Sequence, residues 1–467
     1  MCLIDHPVRL AKTMVLPSHT TLVCAPGATI HPTVEGHLDD VATPDVDEYV
    51  LSVPDTAIAF FAATDVKIIG CTIEGFDFGI FMANNKEVAG RPTGNALIAS
   101  KITAQSVGYF QLNSDDTLIL GNEIATTSGA GVAINIVRNS DRNQVVGNVV
   151  RGSALPAEKH VPWGFPGQLP LSVFGAQVSN AQPFGADGII VASGAASLFF
   201  NAIVDGQLYQ FPYDADPPED NYVAYNDIQL PGPISRAHRC GDGVRRERFV
   251  NNRVSAATGY FAGTTNPNNK ALIPGSCSLD PARRCSSNGD CFFSAIDAAS
   301  KGTCVGTSLL PVDTSEHDMH IEDNHFEVRL TGVQDNGSAS LVISGNRIHG
   351  AGTGTGIVIG GQSLATGTVT RNRVSGMATA LGLLQGTQAS FSAAVSLNDF
   401  ADNLATVANL GAYKLASELS AGGMGNYWGP NGFQLPAGSA LAGLVSDSHP
   451  YCEPVAEKRR LPATCLR

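Results

Sequence analysis

Charge is thin in this sequence: Asp, Glu, Lys and Arg supply 15% of its 467 residues, well below the roughly one quarter of a typical globular domain. That argues against helical bundles, whose solvent faces depend on such residues. No run of about 18 apolar residues occurs, so no segment reads as a membrane-spanning helix. The opening MCLIDHPVRL lacks the basic-then-apolar order of a signal peptide. Positive charge is in deficit, 29 Lys and Arg against 42 Asp and Glu for a net charge of −13, which repels nucleic acid and anionic membranes at long range. No nucleic-acid partner and no membrane insertion are expected, and a polyanion could bind only at a local basic patch. GxSxG, HExxH and Walker sequences are absent.

What is present is glycine, 50 residues, in a chain that is 43% hydrophobic. Glycine at that level, above the roughly 7% average, points to turn-rich β structure with a substantial core. A short motif, Φ-x-x-Asn-x-Φ with Φ apolar, recurs at Asn122, Asn148, Asn201, Asn226, Asn252, Asn324, Asn346, Asn372 and Asn398, and Asn426 extends it. The spacings are 26, 53, 25, 26, 72, 22, 26 and 26. The 53 reads as two repeats with a rung at Ala176, and the 72 as a repeat carrying an insertion. Cys71 and Ser100 stand in for asparagine in two earlier rungs. A second short apolar strand follows each rung, as in GIFM, GVAINI, GIIVA and GIVIG. The period is too short for a β-α-β unit, so each repeat is one turn of a coil. The corner between strands needs a left-handed backbone, which asparagine tolerates, and stacked asparagine amides can hydrogen-bond along the corner.

On these repeats the chain resembles the right-handed parallel β-helix of the pectin lyase-like superfamily, and is similar to NosD-type and carbohydrate-binding and sugar hydrolase repeats. LPSHTTLVCAPGATI resembles the first coil of that family and GNYWGPNG its closing segment. The resemblance implies an all-β, single-stranded right-handed parallel β-helix over residues 1–430, with a Cys-containing insertion at about 255–318 and a C-terminal extension, 431–467, packing on it. The expected molecule is a monomer.

Two regions offer chemistry. Expanded connections at 151–187, 205–222 and 229–249 read as added loops carrying His160, Trp163, Asp187, Tyr209, Phe211, Tyr213, Asp214, Arg236, His238 and Arg239. Several fall at similar offsets from their rungs, which would gather them into one cleft wall. Aromatic rings suit sugar faces and arginines suit carboxylates. The resemblance implies a groove in which a base removes the proton α to a uronate carboxylate while cations hold the charge. His238 or His160 would be the base, and Arg236 and Arg239 the charge stabilisers. Trp163, Asp187, Tyr209 and Tyr213 would bind substrate. Asp214, Asp216 and Asp220 could take Ca2+, although the spacing is not that of an EF-hand. The same aromatics could equally pin loops onto the coil.

The second region is the column one residue after each asparagine, Arg253, His325, Arg347 and Arg373, with Asp227 and Asp399 at its ends. Like charges stacked one coil apart need acids or an anionic ligand. The expected function is therefore an exported protein, secreted or periplasmic, acting on acidic polysaccharide by elimination or epimerisation at a uronate. A non-catalytic β-helix that binds glycan or protein is the alternative. The pectate-lyase Arg-x-Pro-x-x-Arg and alginate-epimerase Asp-Pro-His-Asp signatures are absent. Of ten cysteines, Cys277, Cys285, Cys291 and Cys304 crowd one polar segment and suit a disulfide-stapled loop of open pairing, with Cys452 and Cys465 available for a second.

Overall fold

The computed structural model describes residues 1–33, 50–52, 56–83, 91–129, 131–137, 139–155, 185–192, 200–204, 207–211, 217–241, 243–263, 270–273, 275–285, 302–306, 308–311, 316–336, 338–361, 365–385, 391–400, 402–409, 424–427 and 449–451. Among these, every regular element is a strand. A typical coil contributes Leu118–Leu120 to a first face, Glu123–Thr126 to a second and Val132–Val137 to a third. Parallel stacking of successive coils makes the first face a 12-stranded sheet running from Cys2–Ile4 to Phe391–Ser396. The chain is thus a parallel β-helix. Some strands, such as Lys101–Leu112 and His325–Asp335, run across the second and third faces.

Apolar alternation fills the interior. Ile68, Leu97, Ile119, Val145, Val223, Phe249, Ile321 and Ile343 are all buried and belong to one continuous core with the inward residues of the other faces. At the bend between second and third faces stands a column of small residues, Gly79, Gly108, Gly188, Gly259, Gly332 and Gly356 among them. A Cβ on Gly332 would collide with the Gly356 carbonyl and the Ile348 side chain, so the bend requires glycine there by close approach.

The first corner is held by amides. Asn148 Oδ1 accepts the backbone N–H of Asn122 at 2.9 Å and its Nδ2 at 2.9 Å; Asn148 Nδ2 in turn donates to Ile119 O and Asn226 Oδ1. The same pattern repeats through Asn226, Asn252, Asn324, Asn346, Asn372, Asn398 and Asn426. Below Asn122 the ladder continues to Ser100 and Cys71, and Cys71 is joined to Cys24 by a disulfide. Cys277 and Cys304 are also disulfide-bonded, within a small antiparallel sheet of the insertion.

Four expectations are corrected. The left-handed residue is the one before the asparagine, as at Gly121 (φ 64°), Gly147 (φ 66°) and Tyr225 (φ 58°), while the asparagine itself supplies the buried amide. Asn201 is not a rung: it lies in Phe200–Val204, which pairs with Val50–Ser52 and, antiparallel, with Gln207–Phe211. Asn148 bonds directly to Asn226, so those 78 residues form one coil with an excursion; Ala176 lies outside the described residues. Finally, 229–249 is no added loop, because Arg236–Gly241 is an ordinary third-face strand. In the C-terminal extension, His449–Tyr451 pairs parallel with Met424–Tyr427.

The third corner carries its own ladders. Asn143 Oδ1 accepts from Thr117 N, and Asn221 Oδ1 from Asn143 N. Outside them, acidic and arginine rungs interlock: Arg142 pairs with Asp115 and Asp116, and Arg246 with Glu219 and Asp220.

Replacing Asn148 with alanine would leave the Asn122 N–H and one hydrogen of its side-chain amide without an acceptor in a buried corner. It should lower the unfolding free energy by about 2–4 kcal/mol in urea titrations followed by circular dichroism. A change indistinguishable from wild type would show that the ladder does not hold the corner.

Candidate ligand-binding face

Parallel pairing sets residues of successive coils about 4.8 Å apart, so equivalent outward positions form rows along the axis. On the second face Asp227, Arg253, His325, Arg347, Arg373 and Asp399 are register partners in that order. Two residues on along each strand, a second outward row contains Arg151, Gln229, Ser255, Glu327, His349 and Ser375. The column read from the sequence is therefore brought together. Arg253, His325, Arg347 and Arg373 are all exposed.

Neighbours compensate part of this charge. His325 Nε2 lies 2.9 Å from Glu327 Oε1, His349 Nδ1 3.2 Å from Ser375 Oγ, and Arg373 Nε 3.7 Å from Asp399 Oδ2. Arg151 donates to Gln229, whose Nε2 donates to Asp227 Oδ2 at 2.9 Å. Among the described residues the Arg253 side chain makes no hydrogen bond or ion pair. It borders a cleft of about 540 Å³ with Arg151, Asp227, Gln229, Glu327 and Arg329, walled by Leu230 and Pro231. Arg329 fastens that wall: its Nη2 donates to Leu230 O at 3.1 Å, Gly232 O at 2.5 Å and Ser235 Oγ at 3.3 Å. Desolvation holds the Arg329 guanidinium below the usual arginine range.

The other expected region divides. Asp187 and Arg236 are register partners on the outside of the third face, where Arg236 Nε and Nη2 grip Asp187 at 2.6 and 2.9 Å, with Arg239 Nη1 3.9 Å from the same carboxylate. The Arg236 guanidinium also lies 5.8 Å over the Phe261 ring. Asp187 is fully buried, so Arg236 is already neutralised within the fold. His238 points the other way. It is 0% exposed, stacked on Phe249 at 4.8 Å with the Tyr260 ring tilted against it at 5.2 Å. Its Nε2 is 2.5 Å from Glu247 Oε1, close enough to pair but not aligned as a hydrogen bond. The expectation of His238 as an accessible base outside the core is therefore corrected: Ala237 and His238 are consecutive and both sealed inside, because the small-residue bend shifts the strand's alternation. Burial, with the Glu247 and Glu316 carboxylates, pushes the neighbouring Cys240 thiol well up.

His160, Trp163, Tyr213, Asp214 and Asp216 lie outside the described residues. Tyr209 belongs to Gln207–Phe211, in the small sheet with Val50–Ser52 rather than in the main stack. Asp220 is a third-corner residue whose carboxylate pairs with Arg246 at 2.7 and 2.9 Å, and that hydrogen bond holds it below the usual carboxylate range. Its oxygens thus have a partner other than calcium, and among the described residues no group of three His, Cys, Asp or Glu is placed to hold a metal ion. Sequence reading missed Arg151, Gln229 and Ser255, although each stands three residues after a rung asparagine. Arg329 carries no such signal, since its role depends on a wall 94 to 99 residues away.

His238→Ala would strand the buried Glu247 carboxylate and should cost about 3–5 kcal/mol of stability. Arg253→Ala, on the exposed row, should stay within about 0.5 kcal/mol of wild type in the same denaturation assay. Equal effects of the two would contradict these placements.

No protein-family model matches the chain, and no curated protein matches it. Among solved structures it is similar to the catalytic domain of a GH87 α-1,3-glucanase in complex with nigerose, at 11% identity and TM-score 0.45, covering 88% of this chain and 61% of that one. It is also similar to the Dettilon tailspike protein, at 11% identity and TM-score 0.39, covering 84% and 62%. A third is DFA-IIIase from Arthrobacter chlorophenolicus A6 in complex with GF2, at 11% and 0.38, covering 85% and 83%. The chain thus spans about three fifths of the glucanase structure's length. Values this low carry no residue role and no activity from these proteins to this one.

Proposed function

We propose that the second face binds an acidic polysaccharide and that the protein is a carbohydrate-active β-helix. The observation that carries this is the exposed row Arg253, His325, Arg347 and Arg373 on a chain of net charge −13. A local cation row on an acidic protein selects anionic ligands that approach along that row. Sugar is favoured over nucleic acid because Glu327, on the His325 strand between the Arg253 and Arg347 coils, offers a carboxylate to which hydroxyl-rich chains can donate hydrogen bonds. No Phe, Tyr or Trp side chain stands in either row between Arg253 and Arg373 for bases to stack on.

The reaction we propose is elimination or epimerisation at a uronate. With His238 in the core, the base would be an exposed imidazole, His325 or His349, taking the proton α to the carboxylate while Arg347 or Arg373 holds the charge that develops on it; the electron pair then expels the glycosidic oxygen at C4, which leaves with a proton from water, or recaptures a proton from water on the opposite face. Binding without turnover is the second reading, supported by the contacts that His325 and His349 already make with Glu327 and Ser375. Export is part of the proposal, supported by the Cys24–Cys71 disulfide, since such bonds persist in oxidising compartments.

Polygalacturonate or alginate should bind with an affinity that falls as salt rises, and Arg253→Glu with Arg347→Glu should weaken it about tenfold or more. Calorimetry with a single-stranded oligonucleotide of matched charge serves as control; equal binding would reassign the face to polyanions in general. Incubation with either polymer should raise the ultraviolet absorbance of unsaturated uronates or change epimer content by NMR, and whichever of His325→Ala and His349→Ala removes the base should abolish that signal. Binding with neither change would leave the non-catalytic reading.

A further inference from the structure

The cationic row has two ends. In register order the outward residues are Glu123, Val149, Asp227, Arg253, His325, Arg347, Arg373 and Asp399. Arginine or imidazole occupies four successive rungs of this stretch, and a carboxylate stands at either end. Asp227 is held by Gln229 Nε2 at 2.9 Å; Asp399 sits 3.7 Å from Arg373 Nε. Past Asp227 come Val149 and Glu123 before Lys101, so the row does not resume on the adjoining coils, and Arg151 on the Val149 strand is engaged with Gln229 in the second row. A polyanion lying along the axis therefore meets favourable charge over three intervals, about 14 Å, and repulsion one rung beyond at each end.

We infer that the second face is a length-limited site that takes a run of on the order of four carboxylated sugar units, one to a rung, with Asp227 and Asp399 setting its ends. This rests on the acidic-glycan reading of the same face. A surface meant for an indefinitely long polymer would continue its cations from coil to coil, which the repeat makes easy, since one substitution per coil would suffice. The two ends also differ. The cleft beside Arg253, walled by Leu230 and Pro231 under the Arg329 clamp, lies at the Asp227 end, so the unit seated there is the more enclosed one.

The test is calorimetric titration of the full chain with oligogalacturonates of defined length, from dimer to octamer. Affinity should rise about fivefold or more from dimer to tetramer, and by less than about twofold from tetramer to octamer once the number of equivalent registers is divided out. Asp227→Asn, which keeps an acceptor for Gln229, should tighten the octamer about twofold to fivefold while leaving the tetramer unchanged. Asp399→Asn should act likewise from the opposite end. A rise per unit that stays as steep beyond the tetramer as before it would overturn the inference, and so would an Asp227→Asn gain shared equally by tetramer and octamer. Binding without a plateau removes the length limit alone, whereas no binding at any length removes the acidic-glycan reading together with it.

Discussion

A coil that turns a sharp corner must leave backbone N–H groups facing inward, away from both water and the strand ladders, and an unpaired buried donor is expensive. The architecture follows from how that problem is solved. At the first corner each asparagine oxygen takes two hydrogens from the rung before it, while its nitrogen reaches a first-face carbonyl and the next oxygen. The solution works only if every coil brings its amide to the same place, so the ladder fixes the stacking register. Once register is fixed, inward residues meet in one core and outward residues meet in rows. The outward rows of the second face are a by-product of that alignment.

The same constraint explains which parts were legible in the sequence. Except across two long coils the rung asparagines stand 22 to 28 residues apart, each flanked by apolar residues, so the coil and the row one residue past each rung could be read directly, and Arg253, His325, Arg347 and Arg373 do line up. Asn201 shows the limit: LFFNAI has the local pattern of a rung, but its strand pairs with Gln207–Phe211 in a side sheet. Only the hydrogen-bond partner distinguishes the two, and a partner 78 residues away leaves no local mark.

His238 was misplaced for a different reason. In Arg-Ala-His-Arg-Cys either parity of alternation is chemically sensible, and strict alternation from an outward Arg236 does not bury two neighbours in succession. The bend column does so, because a small residue lets the backbone press close to the core and resets the phase after it. The result is an imidazole on the third face against a carboxylate, Glu247, in a corner column that includes Thr117, Asn143 and Asn221. Polarity buried in this way bears on stability first, whereas the outward rows are nearly free of that burden and can vary with the ligand.

The first-corner ladder also has a direction. Every rung donates toward the following coil and accepts from the preceding one, so its amide dipoles run head to tail along the axis. The initial rung receives nothing and has only to give its N–H, as Cys71 does to Ser100 Oγ. A residue without an acceptor can therefore begin the series, which releases that side chain for a covalent tie to Cys24. A stack of this kind can be sealed by a crosslink at its leading end without interrupting a single amide above it.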